Sequence, residues 1–294
     1  MQYYSMQTSW SAGAPGGYEV EERDVEFLRH DTGALLARMY VPLGEGPFPA
    51  VLSVHGGAWT SGDRFNNEPA NRALAGTGAV VMSVDFRMPP VAGYPEPVAD
   101  VHLAIRWLRA HAERYRIDPA RIGGIGFSSG GHQLTLAVLR PEDDRYARLP
   151  LEPRTPGGSP QARLAFLILC YAVLDPVTRW QMVQAEHRQK LIDSHVAYWG
   201  DEATMTEGNP MRILASGEAA TLPPALVIQG VVDNNLTPDM ADRFGAAYRE
   251  AGGAAEVLRY EDAPHGFLTR DVSTPAAVTA MERIVRFTHE ARSH

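Results

Sequence analysis

The chain has 294 residues, 45% hydrophobic and 21% charged, which is ordinary globular material with enough apolar mass for a sizeable core. A formal net charge of −8, with no Lys/Arg cluster, argues against a nucleic-acid or anionic-membrane surface. The single cysteine, Cys170, excludes an internal disulfide, and the apolar run around it, residues 164–174, falls well short of the ~20 residues that a membrane span needs.

Residues 1–17 are rich in Ser, Gly, Gln and aromatics (Tyr3, Tyr4, Trp10) and lack a basic start followed by an apolar stretch, so a cytoplasmic location is expected. The segment reads as a frayed tail or as an arm folded over a site or a second subunit. The rest, 18–294, reads as one domain. Residues 19–29 and 34–41 predict two strands joined by a tight turn at Asp31-Thr32-Gly33. After a loop at 42–49, the pattern becomes strand, loop, helix, repeated. Strands are expected at 50–54, 79–84, 121–127, 162–170, 225–229 and 254–260. Helices are expected from Pro97, where Val98, Val101, Ile105, Leu108 and Ala112 form one apolar stripe, and at 132–139, 238–251 and 274–288. This order argues for an α/β fold: a mostly parallel twisted sheet covered on both faces, with antiparallel strands at one edge. Strand 254–260, if left exposed at an edge, offers pairing across a two-fold axis, and hence a homodimer.

Two stretches break the alternation. Residues 141–160 read as a surface excursion. Residues 175–224 are too long for a plain loop and carry helical patterning over 177–199, with Trp180, Met182, His187, His195, Tyr198, Trp199 and Met205. This insertion lies where a helical lid would cover the carboxyl edge of the sheet; the alternative is a decoration with a small core of its own.

The chemistry centres on Gly126-Phe127-Ser128-Ser129-Gly130, between an apolar strand and an apolar helix. A serine at such a reversal is held in a cramped conformation with its hydroxyl above the sheet edge, and the flanking glycines avoid collisions of a Cβ with strand and helix. Its hydroxyl needs a base, and His265 stands out among ten histidines, on the Pro/Gly-flanked loop after the last strand. His132, one turn after Ser128, is expected to face away from the hydroxyl, and His30, His102, His111, His289 and His294 to be structural or solvated. The base needs a carboxylate. Asp233, on the loop after strand 225–229, is favoured over Asp175, which begins the insertion, and Asp262, a turn residue beside His265. His55-Gly56-Gly57-Ala58-Trp59 follows strand 50–54 and would offer the amides of Gly57 and Ala58, with that of Ser129, to an oxyanion. Trp59, Trp180, His187, His195, Trp199 and Phe267 are the candidate substrate contacts and point to an apolar or aromatic substrate group. The histidines lack ligand spacing, so neither a metal nor a cofactor is expected.

His-Gly-Gly-Ala-Trp, Asp85-Phe86-Arg87, Gly-Phe-Ser-Ser-Gly-Gly-His, a late Gly-x-x-Asp and Pro-His-Gly-Phe together resemble the α/β-hydrolase superfamily. Over roughly 48–290 they are similar to carboxylesterases near the hormone-sensitive-lipase and feruloyl-esterase-like (BD-FAE-like) branches, which include kynurenine-formamidase-like enzymes. The order Ser128, Asp233, His265 is that of the superfamily. Ala58 stands where the lipase-type motif has a third glycine, and Ser129 where alanine is frequent. The resemblance implies that Asp85 and Arg87 form a structural pair bracing the oxyanion loop. The expected activity is hydrolysis of a small ester through an acyl-enzyme, with no nucleic-acid or membrane partner. Amide cleavage with the same residues, by an arylformamidase, amidase or peptidase, is the alternative. A hydrolase fold turned small-molecule receptor is disfavoured, because every catalytic position is filled.

Overall fold

The computed structural model describes residues 17–151 and 160–290. The expected N-terminal arm and His294 lie outside the described residues, as does part of the excursion at 141–160. β1 (Val20–His30) and β2 (Gly33–Pro42) pair antiparallel through the turn at Asp31-Thr32, with a bulge between Glu26 and Leu28. There follow β3 (Phe48–Val54), α1 (Glu68–Gly76), β4 (Val80–Val84), α2 (Glu96–Ala110), β5 (Ile117–Phe127), α3 (Ser129–Leu139) and the short α4 (Asp144–Ala147). After β6 (Leu167–Cys170) come α5 (Pro176–Ala185), α6 (Gln189–Trp199), α7 (Glu202–Glu207) and α8 (Pro210–Ala215). β7 (Ala225–Gly230), α9 (Met240–Glu250), β8 (Ala255–Tyr260), α10 (Phe267–Arg270) and α11 (Pro275–Glu290) complete the chain.

The strands form one eight-stranded sheet in the order β1-β2-β4-β3-β5-β6-β7-β8. β1, β2 and β4 pair antiparallel, and every pairing from β4 onward is parallel. The parallel strands β3, β4, β6 and β7 are apolar almost without break, as burial on both faces requires, while β8 at the edge is half-exposed. Helix α3 is buried along its whole length, which explains why its sequence is apolar nearly all round. It packs on α2, whose residues 97–108 are likewise buried, and on α8, while α1 packs with α11. Cys170 is a buried core thiol, pushed up by desolvation. Strand β8 pairs with β7 alone and forms one edge of the sheet.

Besides α1, which the sequence reading lacks, two features depart from it. Strand β6 is shorter than 162–170, although Ala165 N–H donates to Ile122 O (2.7 Å) and Gly124 N–H to Phe166 O (3.1 Å), so the chain runs beside β5 before regular pairing begins. Asp85 and Arg87 do not pair with each other. Asp85 accepts from the backbone and guanidinium of Arg64 at 2.8 and 2.9 Å, bracing the far side of the loop after β3. Arg87 turns the other way and donates to Asp100, which is fully buried and also contacts His30. Both residues lie past the end of β4, where the pleat no longer sets side-chain direction, and each charge takes a different partner.

The insertion is tied down by charge. Glu207 on α7 accepts from Tyr94 (2.6 Å), from Arg145 (2.9 Å) and from Arg140. Partial burial pushes its carboxyl up, but the Arg145, Tyr94 and Arg140 donors outweigh this and hold it at about 2. Among the described residues no helix is long and apolar enough to cross a membrane.

Candidate active site

Parallel strands end on the same side of a sheet, so β3, β5, β7 and β8 deliver their following loops to one rim. The turn after β5 is the tightest of these. Ser128 sits there at φ 51° and ψ −122°, a conformation that costs roughly 1–3 kcal/mol and persists because its surroundings leave no alternative. A Cβ on Gly130 would lie 2.1 Å from His55 O, and one on Gly126 would lie 2.5 Å from the Cα of Gly131. The two glycines let β3, β5 and α3 meet closely enough to make the turn.

Ser128 Oγ lies 2.9 Å from His265 Nε2, and His265 Nδ1 lies 2.8 Å from Asp233 Oδ2. The carboxylate accepts the Nδ1 proton, which leaves Nε2 free to accept from the serine hydroxyl. Asp233 is itself steadied by the Asn235 amide, which donates to its other oxygen at 2.8 Å. The ring of Tyr171 stands edge-on to His265 at 5.0 Å. Asp175 is elsewhere: it caps α5 through Thr178 N–H (3.1 Å) and pairs with Arg243. Asp262 is exposed in a turn.

The loop at 55–59 reaches the same point because β3 and β5 are neighbours, with Val54 level with Gly126. Gly57, Ala58 and Trp59 all have positive φ, at 120°, 51° and 64°. A Cβ on Gly57 would lie 1.8 Å from Ser61 O, so glycine is required there. Among the described residues the amides of Gly57, Ala58 and Ser129 donate to no backbone group, and Gly57 and Ala58 line the cleft beside Ser128. The Ser129 hydroxyl accepts from Trp59 N–H at 3.0 Å, a brace for this loop that alanine would lack.

The cleft over Ser128 measures about 700 Å³. Its lining comes from Gly56 to Ala58, Thr60 and Ser61 with Asn66 and Asn67, from Tyr171, from His265, Gly266, Thr269 and Arg270, and from Arg179 on α5 with Arg188 to Leu191 and Ser194. None of the six aromatic and histidine candidates lines it. Trp59, His195 and Trp199 are buried in a cluster beside the loop at 55–59, where Trp59 stacks on Tyr198 (5.1 Å) and meets His195 and Trp199 edge-on. Trp180 joins His195 and Trp199 around a separate cavity of about 210 Å³. His187 is exposed and Phe267 packs on Tyr171 and Tyr260. Large flat side chains found more area against one another than against the cleft, and the apolar character expected of the substrate site goes with them. The cleft is mixed instead, with Phe127, Tyr171 and Leu191 among mostly polar side chains. Four of its residues, Arg179, Arg188, Lys190 and Arg270, are cationic, and none is Asp or Glu. Among the described residues no group of three His, Cys, Asp or Glu side chains is placed to hold a metal ion.

His132 does face away from Ser128. Its Nδ1 accepts from Trp59 Nε1–H at 3.2 Å and its Nε2–H donates to Gly208 O at 2.9 Å, so the neutral ring ties the loop at 55–59 to the insertion. Burial holds it at about 4, burial with Arg179 and His132 holds His195 at about 3, and burial chiefly holds His102 at about 4. A histidine depressed in the fold binds its proton more readily when unfolded, so stability is complete above about 6.5 and declines as pH falls toward 4. The midpoint of urea unfolding should therefore drop between pH 6.5 and 5, above the carboxylate range. An unchanged midpoint over that interval would show that the three rings are not held neutral by the fold.

The model of the BD-FAE family matches residues 38–247. The carboxylesterase NlhH of Mycobacterium tuberculosis is 28% identical over 279 residues, covering 90% of this chain and 80% of that protein. The esterase LipI of the same organism is 29% identical over 267 residues, covering 85% and 76%. Among solved structures, propionate-bound esterase 2 of Thermogutta terrifontis aligns at TM-score 0.71 and 26% identity over 93% of this chain and 94% of that one. The carboxyl esterase 2 of Tuber melanosporum shares the fold at TM-score 0.76, with 22% identity over 98% and 95%.

Proposed function

Because the chain belongs to the BD-FAE family, we infer that it is a serine carboxylesterase of the α/β-hydrolase fold, with Ser128 as nucleophile, His265 as base and Asp233 as the group that orients the base. One observation carries the assignment of roles: the unbroken contact from Asp233 through His265 to Ser128, at 2.8 and 2.9 Å, beside uncommitted amides. His265 Nε2 takes the proton of Ser128 as Oγ attacks the ester carbonyl. The amides of Gly57, Ala58 and Ser129 receive the developing oxyanion, each donor being worth about 3 kcal/mol in such a site. The imidazolium, stabilised by Asp233, then passes its proton to the departing alkoxide and leaves an acyl-enzyme. A water molecule, deprotonated by the same nitrogen, attacks the acyl carbon. Collapse releases the acid and restores Ser128. The insertion, 175–224, acts as a lid on this reading, since α5 and α6 supply one side of the cleft.

An ester is favoured over an amide because the relatives named above are esterases. For matched acetyl compounds, kcat/KM should be higher for p-nitrophenyl acetate than for p-nitroacetanilide. A higher value for the anilide would reverse the assignment.

A further inference from the structure

Arg179 is a buried cation. It is 1% exposed, yet among the described residues none of its nitrogens contacts a carboxylate. Its Nε donates to Asn235 O (3.0 Å), its Nη1 to the neutral ring of His195 (2.9 Å), and its guanidinium lies 5.5 Å from the ring of Trp59. Among the described residues Nη2 donates to no protein group, and the side chain lines the cleft that contains Ser128. Burial lowers this guanidinium to about 10, so it stays charged at neutral pH.

Burying a charge without a counter-charge is costly, and proteins normally supply an acidic partner. Here the neighbourhood supplies a second cation. Arg188 holds the next backbone carbonyl, Asn234 O, and the side chain of Asn235, and its positive charge opposes that of Arg179. The nearby acids are committed elsewhere: Asp233, whose charge favours that of Arg179 without touching it, to His265 and the Asn235 amide, and Glu186 to a 3.6 Å contact with Arg188. Lys190 and Arg270 add charge at the same cleft. The molecule as a whole carries −8, so this is a local reversal of sign rather than part of a basic protein.

We propose that the substrate is an ester carrying a carboxylate, received by Nη2 of Arg179 with support from Arg188 while Ser128 attacks the ester carbonyl. The proposal rests on the esterase reading above and narrows it to a substrate class. A guanidinium offers paired N–H donors that match a carboxylate, and a site built to hold a charge penalises the uncharged analogue more than an apolar pocket penalises a missing methylene.

The test compares isosteric pairs that differ in the charge. Monomethyl glutarate and methyl 5-amino-5-oxopentanoate place it on the acyl side; 4-acetoxybenzoate and 4-acetoxybenzamide place it on the leaving-group side. At low salt, kcat/KM for the charged member of at least one pair should exceed that of its neutral partner by about 10- to 100-fold, the range of hydrogen bonds to a charged group. In Arg179→Met and in Arg188→Gln that ratio should fall toward one, whichever way the absolute rates move. Arg188 is the less buried of the two, so its variant protects the test against misfolding at position 179. Neutral esters turned over as fast as charged ones would overturn the proposal and leave the esterase reading standing. Calorimetric binding of the same four compounds to Ser128→Ala needs no turnover. Tighter binding of a charged member supports the proposal even if no ester is cleaved, and equal binding within both pairs refutes it.

Discussion

Ser128→Ala should lower kcat/KM for ester hydrolysis by about 10⁴- to 10⁶-fold while leaving the melting temperature close to that of the parent protein. The large loss follows from the loss of the covalent step: without Oγ there is no acyl-enzyme, and only the amides of Gly57, Ala58 and Ser129 remain to assist direct attack by water. The small stability effect follows from the local geometry. Alanine keeps the Cβ and the positive φ of Ser128, and the hydroxyl it removes has His265 as its hydrogen-bond partner rather than a core group. Steady-state kinetics beside thermal unfolding separates the two. A variant that retains more than about a tenth of the parent activity would require another nucleophile, since loss of a reacting group costs far more than that.

The second large effect is expected at the other end of the chain of contacts. Asp233→Asn keeps the shape of the side chain but can present an N–H to His265 Nδ1, which favours the tautomer carrying its proton on Nε2 and unable to accept from Ser128. A loss of about 10⁴-fold in kcat is expected, with KM little changed because Asp233 does not line the cleft. Asp175 provides the contrast. It caps α5 and pairs with Arg243, so Asp175→Asn should act mainly on the stability of the insertion. If the two variants lost activity equally with both folds intact, Asp233 would not be the orienting acid.

The parts of the fold that could be read from the chain are those where local pattern and global position agree. Apolar strands alternating with striped helices gave the parallel sheet and its antiparallel edge, because a strand buried on both faces has little choice of composition. Helix α1 escaped notice: its nine residues include Pro69 and too few apolar positions to show a period, and only Ala70, Leu74 and Ala75 of its apolar residues reach the core. The candidate reacting groups are legible for a different reason. Ser128 directly follows β5, Asp233 stands three residues past β7 and His265 five past β8, so chain order places them on one rim. The lining of the cleft had no such signal. Whether Trp59 faces the cleft or stacks on Tyr198 is decided by packing between segments about 140 residues apart in sequence, and no local period records it. Arg179 was passed over for the same reason. It shares a buried helix face with Val183, four residues on, while a charged residue in an insertion reads by default as solvated.

Reaction with a fluorophosphonate followed by peptide mapping tests the proposed nucleophile most directly, because the reagent traps a hydroxyl only where a base and an oxyanion site are already assembled around it. One adduct per chain is expected, on the peptide containing Ser128, forming much more slowly in Asp233→Asn and not at all in Ser128→Ala. No adduct on that peptide, in a protein that still hydrolyses esters, would contradict the account.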